Sequence, residues 1–261
     1  MSPFEDNASN KIIAKSGHAA IFSFPAISSE PAPSVSWQSD DHSLLYGTKY
    51  AVTSHNRLVI LSVDSSDEKM YRARATNTQL GQEENSEFIQ LVVDTSEATD
   101  VAPEIIVPPD NITIVRHTPV TELQCIANAR PLYELELTWF KDGRPVDETG
   151  ISYSFNDLWN RTLSLLSADF VHNGVYTCRV RMRTGGPTLT ASAEVKVIEK
   201  PNFADRMKFE SLGEIGKSIE IPCNIVGEPK PNITWYRDAK PLSELPALRY
   251  TVHDNGSLYI R

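Results

Sequence analysis

Short runs in which hydrophobic and polar residues alternate recur along the chain, inside a longer pattern that repeats at intervals of roughly one hundred residues. The segment LQCIANARPLYELELTWFKDGRPV at residues 123–146 has a counterpart in IEIPCNIVGEPKPNITWYRDAKPL at residues 219–242. Each copy runs from a cysteine to a tryptophan, and then through an aromatic residue, a basic residue and an aspartate to a short turn. Because alternation with a period of two is typical of β-strands, the chain is predicted to be all-β and built from repeated domains.

The middle repeat completes the pattern, since its tryptophan is followed by the alternating run RTLSLL and by the motif GVYTCRV. The signature of an immunoglobulin-like (I-set type) β-sandwich is present in order as Cys125, Trp139, Tyr176 and Cys178. In that fold the cysteines lie on strands B and F of opposing sheets, the tryptophan packs over their bridge and the tyrosine anchors the corner before strand F. The two cysteines are 53 residues apart, which suits a crossing of the sandwich, so we predict a disulfide between them.

The first repeat fits the same frame but has no cysteine. Phe24 and Ala73 take the two cysteine positions, and the other signature residues are Trp37 and Tyr71. One large and one small apolar side chain can fill the volume of a disulfide, so Phe24 is expected to point into the core. The missing cross-link removes about 2–4 kcal/mol of stabilisation from this domain.

The third repeat stops early. It has Cys223, Trp235 and the alternating run at residues 258–260, but the chain ends before the second cysteine of the pattern. We therefore expect Cys223 to be unpaired in this chain, and the chain to be an internal piece of a longer protein. The predicted domains are residues 1–98, residues 102–199 and the N-terminal part of a third domain at residues 200–261.

The two junctions between repeats differ in composition. Residues 95–103 (TSEATDVAP) are polar, lack apolar periodicity and end in proline, which predicts a linker that can bend. The strand ASAEVKVI at residues 191–198 continues to Pro201 with almost no spacer, which predicts a stiff second junction.

Composition narrows the function classes. A hydrophobic fraction of 40% and a charged fraction of 23% are ordinary for a folded domain, and a net charge of -9 disfavours nucleic-acid binding. The chain has no run of about 18 apolar residues that would span a membrane, and its start lacks the apolar stretch of a signal peptide. The six histidines are scattered, without zinc-ligand spacing, and no glycine-rich phosphate loop is present, so we expect no enzyme activity, metal or cofactor.

Five N-glycosylation sequons occur in the chain, whereas about one or two would arise by chance. Their asparagines are Asn7, Asn111, Asn160, Asn232 and Asn255. Together with the paired cysteines, they predict an extracellular glycoprotein. An intracellular, muscle-type array of such domains is the competing interpretation, and it predicts reduced cysteines and unused sequons.

Strand alternation predicts one unusual surface. It places Ile21 on strand B and Val59 and Leu61 on strand E of the first repeat on the outer face of one sheet. The equivalent face of the middle repeat is polar, for example at Gln124 and Ser164, where substitutions are expected to do little. An apolar outer face on one domain indicates an interface, either with the adjacent domain or with another molecule. The competing interpretation is that strand A or a loop covers it.

Several segments closely resemble the sidekick family of cell adhesion proteins, in particular its immunoglobulin domains two to four. They are SGHAAIFSFPAIS at residues 16–28, RLVIL at 57–61, PEIIVPPDN at 103–111, LQCIANARPLYEL at 123–135 and residues 221–250. The resemblance covers essentially the whole chain, including the first repeat that lacks cysteines. It implies a single-pass membrane protein anchored through parts absent from this chain, with these domains on the extracellular side of the plasma membrane.

The resemblance also implies homophilic cell–cell recognition at synapses or cell junctions, with the same protein on an opposing cell as the partner. It further implies a bend between domains two and three, where residues 95–103 lie. The alternative function is the ligand-binding ectodomain of a receptor kinase or phosphatase. A kinase or phosphatase sequence downstream in the parent gene would favour that alternative.

Overall fold

The computed structural model describes residues 1, 3–4, 10–40, 43–94, 100–204, 210–245 and 248–261. Within these residues the regular elements are β-strands and short 3-10 helices, which confirms the predicted all-β, immunoglobulin-type fold. The chain divides into two compact units. One unit comprises residues 1–112, 120–166 and 174–195, and the other comprises residues 113–119, 167–173 and 196–261.

The first repeat forms a two-sheet sandwich from eight described strands. The strands are β1 (Lys11–Lys15), β2 (Ala20–Phe22), β3 (Ser34–Ser39), β4 (Tyr50–Val52), β5 (Leu58–Ile60), β6 (Met70–Asn77), β7 (Gln82–Asn85) and β8 (Ile89–Asp94). One sheet has the order β1-β8-β6-β3, with β7 paired to β6, and the other has the order β2-β5-β4. A 3-10 helix at Ser65–Asp67 makes the corner before β6.

The core of the first repeat is filled by Phe22 and not by Phe24. The Phe22 ring is fully buried, with its centroid 5.0 Å from that of Tyr71 and 6.0 Å from that of Trp37. Phe24 is half-buried at the edge of this cluster, so the prediction that its side chain points into the core centre is wrong. Strand β2 ends at Phe22, three residues before Pro25, which cannot donate a ladder hydrogen bond.

The other signature residues of the first repeat lie where the pattern places them. Trp37, Tyr71 and Ala73 are buried, and the Tyr71 hydroxyl donates to the carbonyl of Asp67 at 2.7 Å. The Trp37 indole N–H donates to the carbonyl of Asn56 at 2.8 Å. Aromatic side chains with satisfied polar groups therefore hold this sandwich together without a cross-link.

The second repeat contains the longest strands. Its strands are β9 (Val101–Val107), β10 (Ile112–Val115), β11 (Val120–Gln124), β12 (Ile126–Arg130), β13 (Leu135–Lys141), β14 (Arg144–Pro145), β15 (Tyr153–Phe155), β16 (Thr162–Leu166), β17 (Gly174–Met182) and β18 (Leu189–Phe203). One sheet has the order β10-β18-β17-β13-β14, a second has the order β11-β16-β15, and β9 pairs with β12. Short 3-10 helices lie at Leu132–Glu134, Val146–Glu148 and Phe170–His172.

A disulfide joins Cys125 and Cys178 at the centre of the second repeat, and both residues are fully buried. Trp139 lies on β13 directly opposite Cys178 in the ladder, and its indole N–H donates to the carbonyl of Asn160 at 2.8 Å. Tyr176 is also fully buried on β17. These four signature residues therefore occupy the places that the sandwich gives them.

The predicted linker is shorter than its composition suggests. Strand β9 begins at Val101 and its pairing with β12 extends through residues 101–107. Residues 101–103 of the expected linker therefore belong to a sheet, and residues 95–99 lie outside the described residues. The sequence does not reveal the start of this strand, because a proline such as Pro103 is typical of a linker, although it lies inside β9 here.

The third repeat belongs to the second unit. Its strands are β19 (Ile219–Ile221), β20 (Ile225–Glu228), β21 (Tyr236–Arg237), β22 (Lys240–Pro241), β23 (Tyr250–Val252) and β24 (Leu258–Ile260), with a 3-10 helix at Leu242–Glu244. One sheet has the order β19-β24-β23. Cys223 is a buried free cysteine, and the Trp235 indole N–H donates to the carbonyl of Gly256 at 2.8 Å.

Candidate functional site

The outer face of strand β5 in the first repeat is covered by the second repeat, within the first compact unit. Val59 and Leu61 are fully buried and form a small apolar cluster with Ile126 of β12. Partly buried side chains complete this cluster, among them Ile106 and Val107 of β9. The apolar face that the sequence predicts is therefore a contact between adjacent domains at these positions.

Ile21 does not share this environment, although the sequence groups it with the other two residues. It pairs with Val59 across the strands β2 and β5, yet its side chain is 39% exposed whereas that of Val59 is inaccessible. The predicted patch thus divides into a covered part and an open part. Alternation identifies the face of a sheet on which a side chain lies, but not how far a neighbouring domain extends over that face.

Asn128 links the two repeats through a buried amide. Its side chain is inaccessible to solvent and its Oδ1 accepts a hydrogen bond from the Ser62 N–H at 2.7 Å. Its Nδ2 donates to the carbonyl of Gly17 at 3.0 Å. Both partners belong to the first repeat, and an amide placed among apolar side chains is stabilising only when such partners are present.

Gly17 allows the two repeats to approach closely. Its φ of 82° lies in the left-handed region, and a Cβ at this position would be 2.7 Å from Cγ2 of Val101. Only glycine fits both conditions without strain. Next to it, Nη1 of Arg130 donates to Oγ of Ser16 at 2.9 Å, which adds a polar contact at the edge of the same surface.

Gln124 makes a second amide contact at the periphery. Its Oε1 accepts from the Ser54 N–H at 2.9 Å and its Nε2 donates to the carbonyl of Val52 at 2.9 Å. Gln124 therefore does not lie on a free polar face, and these two hydrogen bonds are an argument against the expectation that its substitution does little. Ser164, the other polar comparison residue, is buried and not on an open face.

Arg161 makes the third side-chain contact to the main chain of the first repeat. Its guanidinium donates to the carbonyl of Tyr50 at 3.3 Å and to the carbonyl of Thr48, and it lies 4.9 Å from the centroid of the Trp159 ring. Burial lowers the pKa of Arg161 to about 10, against the opposing attraction of Asp157. The group still carries a positive charge at neutral pH, and carbonyl dipoles stabilise it.

We expect Asn128→Leu to weaken the joint between the two repeats by about 2–6 kcal/mol. The change leaves the Ser62 N–H and the Gly17 carbonyl buried without partners, and each such loss costs about 1–3 kcal/mol. Hydrogen exchange of the Ser62 amide measures the effect directly. Asn156→Ala is the control, since Asn156 is exposed in the same repeat and should change stability by less than about 0.5 kcal/mol. Equal exchange of Ser62 in the wild type and in Asn128→Leu would contradict the role given to this amide.

The predicted glycosylation sites differ in accessibility. Asn111, Asn232 and Asn255 are exposed, and Asn7 lies outside the described residues. Asn160 is half-buried, and its Nδ2 lies 3.5 Å from the carbonyl of Leu137. Glycan attachment at Asn160 would have to displace this contact.

In the residue ranges that the structure describes, no group of three histidine, cysteine, aspartate or glutamate side chains is arranged to hold a metal ion. These ranges also contain no helix that combines the length and the apolar character needed to cross a membrane.

Family models match most of the chain. The immunoglobulin I-set domain matches residues 3–91 and 201–261, and a second immunoglobulin domain model matches residues 102–181. Among solved structures, Sidekick-1 immunoglobulin domains 1-4 has a TM-score of 0.82 at 34% identity, covering 99% of this chain and 67% of that one. The N-terminal four Ig domains of Dscam1 isoform 8.4 give a TM-score of 0.60 at 20% identity, which shows the fold alone.

Two curated relatives align over the full length of the chain. Protein sidekick of Drosophila melanogaster is 48% identical over 263 residues, and Protein sidekick-1 of Mus musculus is 35% identical over 266 residues. Each alignment covers 100% of this chain and 12% of the relative. The chain therefore belongs to the immunoglobulin I-set family and resembles the sidekick proteins along its whole length, while spanning 12% of theirs.

Proposed function

We propose that this chain is part of the extracellular recognition region of a cell adhesion protein and that it binds the same protein on an opposing cell. The observation that supports this proposal is the similarity to the sidekick proteins over the entire chain, including the first repeat that has no cysteine. We place the chain on the extracellular side of the plasma membrane, at cell junctions or synapses, with its membrane anchor elsewhere in the parent protein.

The contact between the first two repeats supports a binding role that depends on their fixed arrangement. Buried apolar side chains and four polar side chains hold these repeats together, so both would present their outer surfaces as one body. A surface that is ordered before binding loses less conformational entropy when the complex forms. An adhesion contact made by these two repeats would gain affinity from this preorganisation.

The test is a mixed-cell aggregation assay with the complete parent ectodomain displayed on two non-adherent cell populations that carry different dyes. We expect aggregates that contain both colours and exclude cells without the ectodomain. Deletion of residues 1–199 should abolish aggregation at equal surface expression. Aggregates that recruit cells without the ectodomain would contradict like-with-like binding, and a failure of both displayed populations to aggregate would contradict adhesion itself.

A further inference from the structure

An open groove of about 680 Å³ runs beside the contact between the first and second repeats, within the first compact unit. The first repeat contributes Ser54, His55 and Arg57 to its lining, and the second repeat contributes Asn111, Glu122 and Gln124. Aliphatic side chains, including Val107, Pro108 and Leu123, line other parts of the groove. The groove thus joins polar groups and aliphatic surface from two domains.

Asn111 opens the sequon Asn-Ile-Thr and lies in the wall of this groove. It is exposed, and its Oδ1 accepts a hydrogen bond from the Glu194 N–H at 2.7 Å. Its Nδ2, the atom to which an N-linked glycan is attached, has no hydrogen-bond partner among the described residues. The amide is therefore fixed through its oxygen while its nitrogen is available, which is the reverse of the situation at Asn160.

Arg57 of the first repeat lines the same groove as Asn111. A guanidinium has several N–H donors and no acceptor, so it can bind an acceptor that lies in the groove. Sugar hydroxyls can serve as such acceptors, and the apolar faces of sugar rings can pack on aliphatic side chains such as Val107 and Pro108.

We propose that an N-linked glycan on Asn111 lies along this groove and that its first sugars contact both repeats. The glycan is attached to the second repeat, and the hydroxyls of its first sugars accept hydrogen bonds from the Arg57 guanidinium of the first repeat. The glycan acts as a covalently attached bridge between the two repeats, and its contacts add to the stability of the direct contact between them. The proposal rests on the extracellular placement given above, and it does not depend on homophilic binding.

The first test measures how readily a peptide N-glycosidase releases the glycan from the native secreted protein. Asn232 is the control, because it is an exposed sequon asparagine that does not line the groove. We expect both sites to be occupied by mass spectrometry, release at Asn111 to be at least about tenfold slower than at Asn232, and the two rates to become equal after denaturation. An unoccupied Asn111, or equal rates on the native protein, would overturn the proposal.

The second test detects the contact with the first repeat. Thr113→Ala removes the sequon while it keeps Asn111 and its hydrogen bond to Glu194, and Thr113→Ser keeps the sequon. We expect hydrogen exchange of residues 54–57 to accelerate about tenfold in Thr113→Ala, and to be unchanged in Thr113→Ser and in Asn232→Gln. Unchanged hydrogen exchange of residues 54–57 in Thr113→Ala would overturn the proposed contact between the glycan and the first repeat. If no sequon is occupied, the extracellular placement is wrong. If Asn232 is occupied and the glycan on Asn111 is released as fast as the glycan on Asn232, only this inference is wrong.

Discussion

Leu61→Asp is expected to separate the first and second repeats while each remains folded. Leu61 is fully buried against Ile126, so the change removes about 1.5–3 kcal/mol of apolar burial. It also places a carboxylate among the apolar side chains of this cluster, which costs several kcal/mol more. The carboxylate lies on the outer face of its own domain, so opening the joint returns it to water without unfolding the sandwich.

Hydrogen exchange localised to peptides measures this outcome. The amides of residues 59–63 and 126–130 should exchange about a hundredfold faster or more, since each 1.4 kcal/mol is a factor of ten. The amides around Trp37 and Trp139 should keep their protection. Ile21→Asp is the matched control, because Ile21 pairs with Val59 on the same face but is exposed. Loss of protection around Trp37 in Leu61→Asp would show that Leu61 holds the domain itself and not the joint.

Removal of the disulfide should destabilise the second repeat by about 4 kcal/mol. The bond closes a loop of 53 residues, and the chain-entropy relation gives about that value for such a loop. Cys125→Ala together with Cys178→Ala should therefore lower the denaturant midpoint for the segment that contains Trp139. Reduction by dithiothreitol should have a similar effect on the wild type.

The control for this experiment is Cys223→Ser, since Cys223 is a free cysteine and the change leaves the disulfide intact. The Cys223→Ser variant should be as sensitive to dithiothreitol as the wild type. In both proteins, the stability lost on reduction should be that of the second repeat. The first repeat lacks cysteines, so protection around Trp37 should survive reduction. A second repeat that is equally stable in the oxidised and reduced protein would contradict the stabilising role of this bond.

The architecture could be predicted from the sequence because few residues determine it. Cys125, Trp139 and Cys178 fix strands B, C and F of a sandwich, and the two-residue alternation gives the orientation of their neighbours. The same alternation fails at Phe24, where the strand ends two residues earlier at Phe22. Strand ends depend on local hydrogen bonding, which a hydrophobic pattern does not record.

The contact between the repeats could be predicted only in part. Val59 and Leu61 carry an apolar signal on a face that is usually polar, and the structure places both in the contact. Gln124 on β11 and Arg161 just before β16 carry no such signal, because polar residues at such positions are as common on open surfaces as in contacts. Asn128 has a weak signal, since it lies between two alanines in a strand that is buried on both faces.

Three of the polar side chains by which the second repeat binds the first repeat contact its main chain. Asn128, Gln124 and Arg161 all pair with backbone N–H or carbonyl groups, which every residue except proline supplies in full. The sequence of the first repeat can therefore diverge at most of these positions without loss of the joint, Gly17 being the exception because of its φ of 82°. Related proteins could acquire different recognition surfaces on this domain while they inherit the same interdomain geometry.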